Sequence, residues 1–134
     1  YILLGTSHCG GENPFTATLK DFATPLGTVE TDKEFVRELE KNYKGDLFAE
    51  EYLHRTEHSL EFQAVYLKYV AERQAEKAGI QRSFKIVPIL VSSFHPMVQS
   101  HSLPEKDPRI GGFLKALRDL VEKETRRVCF KQLC

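Results

Sequence analysis

Tyr1-Ile2-Leu3-Leu4-Gly5-Thr6-Ser7-His8 and Phe84-Lys85-Ile86-Val87-Pro88-Ile89-Leu90-Val91 are the two stretches whose reading decides the fold. An unbroken apolar run of about four to eight residues, stopped by turn residues, fits a strand of a parallel sheet buried on both faces. The first run, Tyr1 to Leu4, ends at Gly5 and opens into a loop of small residues, Gly5-Thr6-Ser7-His8-Cys9-Gly10-Gly11. Glycines there permit positive φ and the close approach of a ligand to the backbone. In the second run Pro88 is awkward, because proline cannot donate to a strand ladder, so a place near the strand end or at a bulge is expected.

Helices are read outward from these strands. Phe15 to Leu19 suits a short strand, and Thr24-Pro25-Leu26-Gly27 a turn. Thr31 or Asp32 caps a helix to about Asn42, with Phe35, Val36 and Leu39 at helical spacing. A longer helix starts near Glu57 or Ser59 and stops at Gly79; Leu60, Ala64, Leu67 and Ala71 form its stripe, widened by Val65 and Val70. Ser92 to Pro108 reads as a long polar, mobile loop. A third helix from Pro108 to Arg126 would bury Phe113, Leu114, Leu117, Leu120 and Val121, and Arg127 to Phe130 would begin another strand. This order predicts an α/β fold with a mostly parallel or mixed sheet flanked by helices and joined by right-handed crossovers.

Composition narrows the class. Among 134 residues, 41% are hydrophobic and 28% charged, a globular balance. Lys plus Arg and Asp plus Glu each number 19 and no like-charge block stands out, so neither nucleic acid nor an anionic membrane is an expected partner. No apolar stretch approaches the roughly 20 residues of a spanning helix. Three cysteines, Cys9, Cys129 and Cys134, do not make a disulfide framework, and reduced thiols in a cytoplasmic setting are expected. The chain starts without Met inside an apolar run and stops at Cys134 with no closing element, which predicts a fragment of a larger three-layer domain, with residues 1–134 as its partial domain.

His8 is the leading functional candidate. It follows a buried strand, and open α/β sheets bind ligands beyond the carboxyl ends of their strands. Histidine can there bind a metal or move protons near neutral pH; the plainer alternative is a loop histidine bonded to nearby backbone. Cys9 beside it could serve as a thiolate, although a buried inert thiol is the simpler role. In Glu57-His58-Ser59-Leu60-Glu61, helical spacing makes His58 and Glu61 neighbours. A carboxylate can orient a histidine and raise its basicity; a solvated helix start with acids at the positive dipole end is the bland reading. His54 lies before that helix, and His95 and His101 read as solvated loop residues. No metalloprotease His-Glu-x-x-His, phosphate loop, dinucleotide fingerprint or serine nucleophile elbow occurs.

Ile2-Leu3-Leu4-Gly5-Thr6-Ser7-His8, Thr24-Pro25-Leu26-Gly27-Thr28-Val29 with Asp32, Glu57-His58-Ser59-Leu60-Glu61-Phe62-Gln63 and Ile86-Val87-Pro88-Ile89-Leu90-Val91, in this order and spacing, resemble the MEMO family, also called AmmeMemoRadiSam system protein B. The resemblance runs from Tyr1 to about Phe130. It implies a fold similar to the class III extradiol non-haem iron dioxygenases. It also implies a pocket of two histidines, an aspartate with a further histidine, and a cysteine, of which His8 matches one position. The family's Pro-His-Ala-Gly segment would lie upstream of Tyr1 and its Ser-Asp-x-x-His segment beyond Val128-Cys129-Phe130; Cys9 and Cys129 do not match the pocket cysteine. Ala64-Val65-Tyr66-Leu67 and Ser92 depart from the family pattern. Two functions follow as expectations. One is a metal-dependent redox or dioxygenase-like enzyme on a small-molecule substrate, with iron or copper held by His8, with Glu57, His58 and Glu61 shaping or supporting the pocket, and with His8, His58 and Glu61 as the catalytic set. The other is a non-catalytic module that recognises phosphorylated or anionic peptides through His8, Arg55 and loop backbone donors.

Overall fold

The computed structural model describes residues 1–79 and 83–131, and only the backbone of 127–131. Five strands make one mixed sheet: β1 (Ile2–Thr6), β2 (Phe15–Ala17), β3 (Phe22–Thr24), β4 (Gly27–Thr31) and β5 (Lys85–Val91). The order is β1-β5-β4-β3, with β2 also paired to β5. β5 runs parallel to β1 and β4 and antiparallel to β2, and β3–β4 is an antiparallel hairpin. Four α-helices complete the described fold: α1 (Lys33–Asn42), α2 (Ser59–Ala78), α3 (His95–Gln99) and α4 (Pro108–Lys131).

The apolar run of β5 is continuous because the strand is covered on both faces. Val87 and Ile89 join a core with Phe15, Val36, Leu39, Ile110 and Phe113, the layer of α1 and α4. Ile86 and Leu90 join a second core with Leu3, Val29, Leu60 and Ala64, the layer of α2. The alternation is the two-residue period of a strand seen from its two sides. Three layers result, helix, sheet and helix.

Pro88 sits mid-strand, fully buried, neither at an end nor at a bulge. The N–H of Val87 donates to Tyr1 O at 2.8 Å, so odd positions of β5 turn their backbone groups to β1 and even positions to the opposite edge. On that edge β4 pairs with Lys85 and Ile86, and β2 with Ile89 to Val91. Pro88 falls between the two partners, where its missing donor leaves no ladder bond unmade.

The structure corrects several expectations. Of the leading apolar run only Leu3 is buried: β1 is an edge strand, and Tyr1, Ile2 and Leu4 are exposed. The hairpin β3–β4 forms around the expected Thr24–Gly27 turn, but strands on its two sides had no clear alternation to mark them. Val70 is exposed on α2. The 92–108 segment is not one loop, because it holds α3 and a 3₁₀ turn, Pro104–Lys106. On α4 the buried face is Ile110, Phe113, Ala116 and Leu120, with Leu114 and Val121 exposed. The expected strand at 127–130 is absent, because α4 continues to Lys131. Asp32 caps α1 as expected, its carboxylate accepting the Phe35 N–H at 3.1 Å, and Gly79 ends α2.

Phe113 lies stacked on Phe15, ring centroids 3.8 Å apart, and edge-on to Tyr43. Phe113→Ala should cost about 3–5 kcal/mol of stability, whereas Leu114→Ala should stay within about 0.5 kcal/mol; urea denaturation of the two variants compares them directly.

Candidate functional site at the β1–α2 junction

β1 and α2 meet more closely than a side chain at position 5 would allow. A Cβ on Gly5 would lie 2.5 Å from Ser59 Oγ and 2.6 Å from Leu60 Cγ. The contact is fixed by polar bonds to backbone groups that point away from β5. Ser59 Oγ donates to Thr6 O at 3.0 Å, and Gln63 Nε2 donates to Leu4 O at 3.0 Å. Two carbonyls of an edge strand are thereby satisfied by side chains of the covering helix.

Beyond β1 the loop is held from both ends. Ser7 N–H donates to Val91 O at 2.9 Å and Ser7 Oγ to Gly10 O at 2.6 Å. Gly11, at φ +149°, lies where a Cβ would press on Glu50 Oε2 and Ser92 Oγ, both at 2.9 Å. The Glu50 carboxylate accepts the N–H groups of Glu12 and Asn13, each at 3.0 Å.

His8 sits between these anchors. Its backbone N–H donates to Glu57 Oε2 at 2.8 Å, and its ring Nδ1 lies 3.0 and 3.1 Å from the two carboxylate oxygens. The same carboxylate accepts Ser59 N–H at 3.0 Å. Glu57 is buried, at 8% exposure, while the His8 side chain is 71% exposed. Burial by itself raises the Glu57 pKa. The two backbone N–H donors and the His8 ring outweigh it and bring the group down to about 2, so it is ionised at neutral pH. Its charge also faces the positive N-terminal end of α2.

The Memo-like protein family matches residues 1–104. The chain belongs to the Memo-like family. Among curated relatives, a MEMO1 family protein of Aquifex aeolicus is 37% identical over 91 residues, covering 68% of this chain and 22% of the relative. A MEMO1 family protein of Archaeoglobus fulgidus is 36% identical over 89 residues, covering 66% and 29%. One of Pyrococcus abyssi is 37% identical over 91 residues, covering 66% and 28%. The chain thus matches between a fifth and a third of the length of these relatives. No solved structure matches it significantly. The family match stops short of α4, which begins at Pro108.

Within this Memo-like chain the Gly-Thr-Ser-His and Glu-His-Ser segments turn out to be two sides of one contact. Gly5 admits Ser59 and Leu60, Thr6 O accepts from Ser59, and His8 donates to Glu57. The sequence-predicted residues are therefore divided. His8 joins Glu57, whereas His58 pairs with Glu61, Nδ1 to Oε2 at 2.8 Å, as a separate and largely exposed couple one helical turn apart. Arg55, Lys20, Asp21, Glu51, Glu57 and Glu61 line a neighbouring groove of about 480 Å³. Cys9 is exposed rather than buried, because the loop carries it outward; Cys134 and the Cys129 side chain lie outside the described residues. His95 and His101 are exposed, His95 in the first turn of α3.

Two groups were not singled out by sequence. Glu50 and Glu51 both act as acceptors for distant backbone, and Glu51 also takes Thr18 Oγ1 at 2.6 Å. His54, which the sequence placed ahead of the helix without a direction, is half-buried, its Nε2 donating to Thr16 O at 3.1 Å. Burial lowers its pKa below the usual 6.5 and outweighs the bond to Thr16 and the charge of Glu51, which raise it. Alternating or helical spacing gives no sign of such long-range pairings.

Among the described residues no helix is long and apolar enough to cross a membrane, and no group of three His, Cys, Asp or Glu side chains could hold a metal ion.

The pKa directions set two acid transitions. His54 titrates lower folded than unfolded, so its contribution is complete above about 6.5 and declines as pH falls through that value toward its folded pKa. Denaturant midpoints should fall between pH 7.5 and 5.5, roughly the histidine range, and His54→Gln should flatten that slope. Glu57 contributes above its ordinary 4.5, and that stability is lost as pH falls toward about 2. Glu57→Ala, which leaves the His8 and Ser59 amides without their acceptor, should cost about 2–3 kcal/mol at neutral pH and weaken the lower transition.

Proposed function

We propose that this chain is the part of a Memo-like, metal-dependent redox or dioxygenase-like enzyme that carries one of its working imidazoles, His8. The observation that carries the proposal is the geometry of that one side chain. Its Nδ1 lies on a buried carboxylate, the rest of the ring is open to solvent, and it stands at the carboxyl end of a parallel strand. Ligand sites of open α/β sheets occupy such strand ends. A histidine held by a carboxylate is also the usual form of a histidine metal ligand.

The metal would be iron or copper and the substrate a small molecule, both as the family resemblance implies. The donor set among the described residues is incomplete, since no three donors converge. No reaction step is therefore assigned through a metal. The relatives are several times longer than the matched region, which leaves room for further ligands outside it. His58 and Glu61 take no direct part in this reading, since their pairing is with each other at the surface.

The competing role, a module for phosphorylated or anionic peptides, finds less support in the charges. Arg55 and Lys20 share their groove with Asp21, Glu51, Glu57 and Glu61, so acids outnumber bases there. The His8 amide, which would have served as an anion donor, already serves Glu57. A phosphopeptide panel is expected to show no binding.

Metal analysis of the purified full-length protein beside His8→Ala tests the enzyme reading. Iron or copper should be present in the parent protein and fall several-fold in the variant. Equal metal content in both removes His8 from the ligand set, and a metal-free parent protein rejects the reading.

A further inference from the structure

We propose that Glu57 is the positioning residue of His8: it receives the ring Nδ1–H, fixes one neutral tautomer and turns the Nε2 lone pair outward as the working atom. An ionised carboxylate is acceptor only, so a bond between it and a neutral imidazole must run from Nδ1–H to oxygen. Both oxygens lie within 3.1 Å of Nδ1. Nε2 has no hydrogen-bond partner among the described residues, and the side chain that bears it is mostly exposed.

Glu57 can impose this choice because it is itself immobilised. The His8 amide enters from one side and the Ser59 amide from the other, at 2.8 and 3.0 Å. With Nδ1 added, three donors converge on the two oxygens of a buried carboxylate. The junction that holds it is fixed in turn by Gly5 against Leu60 and by Ser59 on Thr6 O. The His58–Glu61 pair offers a contrast. Its bond is shorter, at 2.8 Å, but the Glu61 side chain is 48% exposed. Pairs of that kind exchange readily with water.

The consequence is chemical. A neutral imidazole protonated at Nδ1 presents a lone pair at Nε2, fit either to ligate a metal or to accept a proton, and the carboxylate behind it holds the ring in that orientation. The inference rests on the reading above only in taking His8 as the working group, and its test needs no metal and no turnover.

Long-range ¹H–¹⁵N correlation NMR on the metal-free, ¹⁵N-labelled protein at about pH 8, above the ordinary histidine range, reads the tautomer directly. His8 should show a protonated Nδ1 and an unprotonated Nε2. Glu57→Ala should abolish that single-tautomer signature, while Glu61→Gln leaves it unchanged. A parent His8 protonated on Nε2 overturns the proposal, and so does an unaltered signature in a folded Glu57→Ala protein. Should that variant fail to fold, the parent spectrum still decides. A protein that binds no metal yet keeps the Nδ1–H form at His8 defeats the enzyme reading and leaves this one standing.

Discussion

The carboxylate of Glu57 joins the loop after β1 to the start of α2, and the arrangement of the candidate site depends on that junction. A buried charge is costly unless every lone pair it exposes is met. Here the His8 and Ser59 amides and the His8 ring meet it. The same three bonds fix the loop, supply an acceptor for the first turn of the helix and orient the one imidazole that follows the strand. Stability and site geometry are thus held by a single group, and a change that loosens one loosens the other.

The sheet around this junction is organised by β5. It is the only strand of the described residues that pairs with three others, and it feeds both hydrophobic cores by alternation. Its second edge passes from β4 to β2 at Pro88. A proline at the handover removes a donor where no acceptor waits, and it leaves β4 and β2 to address opposite ends of the strand. β2 in turn brings Thr16 to His54 and Ser92 to Pro14, which fastens the region around the His8 loop to the rest of the sheet.

Much of the fold could be read along the chain because it depends on short-range chemistry. The Asp32 cap, the extent of α1, the α2 stripe closed by Gly79 and the β5 run all follow from periodicity and capping. The errors arose where burial depends on neighbours distant in sequence. Leu4, Val70, Leu114 and Val121 carry the apolar character of core positions and are exposed, because hydrophobicity states a preference and not which face a neighbour covers. The 127–130 segment reads as the start of a strand, but α4 runs on through it. The backbone there follows the preceding turn, not its own propensity.

For the candidate site the division is sharper. Sequence alone determined that this is an α/β chain of the Memo-like type, that His8 follows a strand in a glycine-bearing loop, and that an acid-histidine cluster opens a helix; those are properties of neighbours along the backbone. Which acid serves which histidine was decided by tertiary structure. Helical spacing couples His58 to Glu61, and that couple forms at the surface. Packing of α2 across Gly5 brings Glu57 to His8 from 49 positions away in the sequence. No local pattern encodes that pairing, because its geometry exists only once the helix lies on the strand.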